Sequence, residues 1–236
     1  VTMVTGTTVA SWCWWSAQRA AVNERQARTV AESRLAQIEN SNNTLTSIFE
    51  DLNPESTEDT PLRAVLAERL EHSAEQLAVG QLGDPVAIAK MRFSLANSLL
   101  NLGFAERALN VLHKVHETFA TVLGNEALET LNAQHAIAAS HVALGHFEQA
   151  LVLNRELLAT KDRVLGAKHE STLNTLSNIA ALYIDLGQFQ EAAVKGDQVY
   201  QLFRERYGAD DRLTLAVADN LSQAWLALGE HAKAIM

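Results

Sequence analysis

Residues 127–168, ALETLNAQHAIAASHVALGHFEQALVLNRELLATKDRVLGAK, decide the fold, because their frame recurs along the chain at a fixed period. Gly145 has counterparts at Gly103, Gly187 and Gly229. Gly166 has counterparts at Gly124 and Gly208, at the same spacing. Seven of the 11 glycines therefore fall on one period, which marks a stacked-repeat architecture. Other residues keep step. A leucine precedes each glycine of the first set (Leu102, Leu144, Leu186, Leu228), and an alanine stands five places after it (Ala108, Ala150, Ala192, Ala234). Seven places before it stands a small residue (Ala96, Ala138, Ala180, Ser222), preceded by a large aliphatic (Leu95, Ile137, Ile179, Leu221). Thr-Leu pairs recur at 130–131, 172–173 and 214–215.

Each unit reads as two amphipathic helices. The first glycine ends one helix in a left-handed conformation, and the second glycine ends the other. Small residues on either side of the first glycine let the paired helices approach closely. Thr130, Thr172 and Thr214 lie near the start of the next helix with capping chemistry available. One pair cannot bury its apolar face alone, so the units must stack. The expected units begin near residues 85, 127, 169 and 211: 85–126, 127–168, 169–210 and a partial 211–236.

The small-residue, Leu-Gly and Ala positions resemble the tetratricopeptide signature. The 42-residue period, with Leu165-Gly166-Ala167-Lys168-His169-Glu170-Ser171-Thr172-Leu173, is similar to the kinesin-light-chain-like branch of that family. The resemblance implies an all-α, right-handed α-solenoid of antiparallel helix pairs. It also implies a protein or peptide partner held in a concave groove. The sequence departs from the family locally: Leu128, Glu170 and Arg212 stand where members often carry proline, and the first unit lacks Thr-Leu.

Upstream, residues 1–18 are uncharged, and Trp12, Trp14 and Trp15 precede Arg19, Arg25, Arg28 and Arg34. Aromatic residues followed by cations mark the edge of a membrane span. The segment reads as the tail of a transmembrane segment, which places the chain at a membrane without fixing the side. Residues 19–52 read as a long juxtamembrane helix. Within it Ala31, Leu35, Ile38, Asn42, Leu45 and Phe49 form an a/d seam, so residues 31–49 offer a homodimer contact. Residues 53–84 read as an acidic linker, then a helix opened by Pro61 that caps the first repeat. The run Ser47-Ile48-Phe49-Glu50-Asp51-Leu52-Asn53-Pro54 with Pro61-Leu62-Arg63 is similar to the region after the span in large bacterial serine/threonine kinases. That resemblance implies a sensory or dimerising tail whose catalytic domain lies elsewhere.

The residues argue for binding rather than catalysis. The net charge is −9, from 19 basic and 28 acidic residues, which argues against nucleic acid as a partner. A lone cysteine, Cys13, can make neither an internal disulfide nor a paired-cysteine zinc site. No phosphate loop, kinase catalytic loop, Gly-x-Ser-x-Gly elbow or His-Glu-x-x-His pair is present. The expected catalytic set, metal set and cofactor are therefore none. His113 and His116 are three apart on a second helix, but no third ligand is evident, and they read as surface histidines. His141 reads as a packing residue and His146 as a turn residue.

The candidate site is the groove along the first helices. Nine places before each loop glycine stand Ser94, Ala136, Asn178 and Asn220; one turn earlier are Lys90, Asn132 and Asn174; one turn later are Asn97 and Gln223. A carboxamide both donates and accepts, which suits it to a peptide backbone. The family resemblance implies that such asparagines hold a bound peptide's backbone or terminal carboxylate. The expected peptide-binding residues are Asn174, Asn178, Asn220, Asn132, Asn97 and Lys90, with the first three as the centre.

Overall fold

In the computed structural model, residues 18, 19, 22–26, 28, 29, 62–79 and 84–234 are described. The expected span at 1–18, the seam at 31–49 and the kinase-like run at 47–54 lie outside these residues, save Gln18. The short pieces between 18 and 29 are helical. Eight longer helices follow: α1 Leu62–Val79, α2 Pro85–Asn101, α3 Ala105–Leu123, α4 Leu128–Ala143, α5 Phe147–Leu165, α6 Glu170–Asp185, α7 Phe189–Tyr207 and α8 Arg212–Ala227. Each packs chiefly on its neighbours in the chain, as in a solenoid. The starts of α4, α6 and α8 are spaced by one sequence period, as are those of α3, α5 and α7. No described helix is long and apolar enough to cross a membrane.

The core runs as a stripe between the paired helices. Ala96, Ala108, Ala138, Ala150, Ala180 and Ala192 are all buried, so the small column sits where helix meets helix. Large side chains fill the layers between: Leu112, Phe119, Leu157 and Phe203 are among the most deeply buried. Burying one such side chain contributes about 1.5–3 kcal/mol. Helix α1 joins this stripe in the place of a second helix. Its Leu70 and Leu77 stand one period before Leu112 and Phe119, and all four are buried. The array thus opens on half a unit, with α1 packed on α2 and α3.

The two glycine sets end helices in different ways. At Gly145 (φ 75°) the glycine N–H donates to Val142 O at 2.9 Å and the His146 N–H to His141 O at 2.9 Å. That pair of bonds is a Schellman motif, and the same pair recurs at Gly103, Gly187 and Gly229. Gly166 instead takes φ 91° and ψ 154°, a region essentially closed to residues with a Cβ. Gly124 and Gly208 do the same. The sharper corner sits between units, where the chain must leave one layer for the next.

The threonine column does not cap. The N-caps are Ala127, His169 and Asp211. His169 Nδ1 accepts from the Ser171 N–H at 3.2 Å, and Asp211 Oδ1 from the Leu213 N–H at 2.8 Å. Each threonine lies three places further in and is buried. Thr130 Oγ1 donates back to Gly124 O at 2.8 Å, tying the helix to the corner, while the hydroxyls of Thr172 and Thr214 find no partner.

Surface ion pairs stitch consecutive elements. Arg163 meets Glu126 at 2.8 Å, and one period later Lys168 meets Glu205 at 2.8 Å, with the charges exchanged. The core holds one discordant column. Phe119 and Phe203 are separated by two periods, and the position midway is Lys161, which is only 2% exposed. Its Nζ donates to Thr175 Oγ1 at 3.0 Å and to Ser171 O at 3.4 Å. No ion pair to a carboxylate is made among the described residues, and burial pushes the ammonium down to about 8.

Candidate functional site

The first helix of each unit carries the candidate groove residues at one repeated register, so α2, α4, α6 and α8 present them on corresponding faces. Asn97, Asn174, Asn178 and Asn220 are half-buried, and Asn132 is exposed. None of these five amides is hydrogen-bonded to another described residue, so their donors and acceptors remain open to a ligand. In the second unit Ala136 takes the place of Asn178 and is buried, which leaves a gap in the amide row. Asn220 and Ser177 share a small crevice with Ala180, Ile184, Gly196 and Leu221. The crevice forms because Gly196 has no side chain: a Cβ there would stand 3.1 Å from Leu221 Cδ1.

Lys90 is not available in the same way. Its Nζ lies 2.8 Å from Glu129 Oε1, bridging the first helices of units one and two. The hydrogen bond from Lys90 holds the Glu129 carboxyl below its usual range. Glu129 lies in the first turn of α4, one period before Ser171. Sequence reading passed over it, because its partner sits on another helix and no helical spacing links the two. Gln223 is also engaged, donating to Asp219 Oδ2 at 3.0 Å. Asp185, at the end of α6, is raised above the usual carboxylate range by partial desolvation.

These positions define the electrostatics of the face. Lys90 is the one cation among the groove positions named above, and Glu129 neutralises it. Asp185 and Asp219 add negative charge nearby. A peptide's terminal carboxylate would meet no free ammonium or guanidinium at this register. The amides at 174, 178 and 220 fit a backbone, whose N–H and C=O groups they can match in both senses. Among the described residues no group of three or more His, Cys, Asp or Glu stands together as a metal-ligand set.

Comparison with known proteins agrees with the helical array. Residues 171–236 match a tetratricopeptide repeat family, and residues 130–171 match a second tetratricopeptide repeat family. No curated protein matches the chain. Among solved structures, a kinesin light chain protein of nearly identical TPR-like repeats from Podosopora anserina shares 24% identity at a TM-score of 0.61, covering 77% of this chain and 86% of its own. BtubC (BKLC) from P. vanneervenii shares 17% identity at a TM-score of 0.61, covering 85% of this chain and 87% of its own. A Rap protein complexed with Competence and Sporulation Factor shares 16% identity at a TM-score of 0.58, covering 73% of this chain and 46% of its own. The likeness to these structures is one of fold.

Proposed function

We propose, for a chain that carries tetratricopeptide repeats over residues 130–236 in an array of kinesin-light-chain-like fold, that it is an interaction scaffold holding an extended peptide segment of a partner protein. One observation carries this reading. The amides of Asn174, Asn178 and Asn220 stand on corresponding faces of α6 and α8, half-buried and without hydrogen-bond partners among the described residues. Water can reach these amides in the free protein, since none of their polar atoms is among the buried ones lacking a partner, and a bound backbone would take the place of that water. The Rap neighbour, complexed with Competence and Sporulation Factor, supports the view that this fold holds partners.

The neutralised Lys90 and the nearby Asp185 and Asp219 direct the choice of ligand. The groove suits an internal segment, neutral or basic, better than a free C-terminus, because among the groove positions named above no unpaired cation stands for the carboxylate. The kinase-tail reading and the membrane and dimer contacts rest on residues 1–54 and 61–63 and gain no support from the comparisons.

The test uses the full chain on an array of peptides with free or amidated C-termini. Bound peptides are expected to lose most of their signal to the Asn178→Ala/Asn220→Ala protein, at unchanged helicity, and to tolerate amidation. Binding that survives the double substitution, or that needs the free carboxylate, refutes the groove assignment.

A further inference from the structure

Three core columns change character together in the second unit. In the first unit they hold Phe93, Leu112 and Phe119, which belong to one apolar cluster. One period later the same columns hold His135, Asn154 and Lys161. Asn154 is 1% exposed and Lys161 2%. The two lie on one face of α5, about two turns apart. His135 approaches from α4, close enough that the Lys161 charge adds to burial in lowering its imidazole.

These groups are poorly paired. Asn154 Nδ2 donates to Ala150 O at 2.8 Å, but its Oδ1 is buried without a partner, and so is His135 Nδ1. Among the described residues, the titratable group that faces Lys161 from α4 is His135. From α6 it is faced by Thr175 and Ser171, which carry no charge, and no carboxylate compensates either cation. Packing thins at the same place. Helix α5 packs less extensively on α4 and α6 than α3 and α7 do on their own neighbours. The apolar core divides there too. The buried residues of one cluster run from Ala67 to Ile137, and those of the others lie between Ala150 and Ala224.

We propose that α5 is a weak joint built into the array, whose second half, residues 154–165, unwinds locally and does so more readily in acid. Opening lets water satisfy Asn154 Oδ1 and His135 Nδ1 and hydrate the ammonium. A helix that owes its stability to tertiary packing unwinds once that packing is lost. The pH direction follows from proton uptake. The open segment holds the lysine proton up to the ordinary 10.5, and the closed one releases it near 8, so opening gains as pH falls from 10.5 to 8. Below the ordinary imidazole value of 6.5, His135 adds to the gain in the same sense. The joint lies between Asn97 and Asn132 on one side and Asn174, Asn178 and Asn220 on the other. Its opening therefore divides the amide row into two segments free to change their angle.

The test is hydrogen–deuterium exchange of the full chain, read by mass spectrometry as protection corrected for the intrinsic rate at each pH. Chain ends are the usual first places to fray, so an interior helix less protected than its outer equivalents identifies a joint. At pH 7 residues 154–165 are expected to be on the order of tenfold less protected than the equivalent stretches of α3 and α7. Their protection is expected to rise about fivefold from pH 7 to pH 9. Lys161→Met should give that higher protection already at pH 7 and abolish the rise. Asn154→Leu, which restores the leucine of the first unit, should raise protection and leave the pH response in place. Lys114→Met, exposed on α3, should alter neither. Protection of residues 154–165 equal to that in α3 and α7, or a pH response that survives Lys161→Met, overturns the proposal.

Discussion

Replacing Lys161 by methionine is expected to stabilise the protein. The side chain is 2% exposed, in a column that holds phenylalanine one period on either side. Burial pushes its ammonium down to about 8 from the ordinary 10.5. At about 1.4 kcal/mol for each pH unit, that displacement corresponds to roughly 3 kcal/mol, and residual solvent screening of the charge brings it to about 2. The sign follows from proton uptake. The unfolded chain holds the lysine proton up to about 10.5, and the folded chain releases it near 8. Folding is therefore penalised in full below pH 8, and stability recovers as pH rises through that window. Methionine matches lysine in volume and carries no charge. Thr175 Oγ1 keeps its bond to Ser171 O at 2.9 Å, so no donor is orphaned. Urea titrations followed by circular dichroism, from pH 7 to 10.5, would measure the difference between wild type and Lys161→Met. The variant should gain about 2 kcal/mol at pH 7, with a thermal unfolding midpoint higher by on the order of 4–8 °C in a separate melt, and the gain should vanish toward pH 10.5. A difference of zero at pH 7, or one that stays constant across the window, refutes the burial argument.

Four further outcomes follow from the turns, the packing and the surface charges. Gly166→Ala should cost about 1–3 kcal/mol in urea denaturation, since a Cβ there meets no atom within 4 Å and the penalty is torsional alone. Gly145→Asn, in the left-handed region asparagine tolerates, should cost well under that. Phe203→Ala should cost about 3–5 kcal/mol, and loss of helical signal in the last unit before the first would show how locally the array melts. A double-mutant cycle at Lys168 and Glu205 should return no more than about 1 kcal/mol and fade in 0.5 M NaCl, because both side chains are well exposed.

The periodicity made the helix pairs legible, since Leu-Gly and the alanine columns report directly on how helices end and meet. The repeated positions of the candidate groove residues along the first helices were legible for the same reason. What escaped was anything that depends on a partner outside the local helix. Lys161 reads as a solvated helix lysine until it is set beside Phe119 and Phe203 in its own column. Thr130, Thr172 and Thr214 look like caps by residue type, yet they sit inside the first turn, facing the preceding layer. His113 and His116 drew notice because three-residue spacing is visible in a helix. His141 and His146 are joined by the turn at Gly145, and Lys90 is joined to Glu129 by the stacking of α2 on α4.

The inverted ion pairs bear on how a gene of this kind can change length. Tandem repeats lose or gain units by unequal recombination, which joins one unit's beginning to another unit's end. Loss of one full period between Glu126 and Glu205 would set two carboxylates against each other where Arg163 now answers Glu126. The reciprocal gain would set Lys168 against a second copy of Arg163. The loss product would replace both attractions by one repulsion, and the gain product would keep both and add one repulsion, each contact being of sub-kilocalorie size. Units that look interchangeable by their glycines are thus marked by charge as second and third, and a recombinant array would carry the mismatch as a lasting, if small, record of the event.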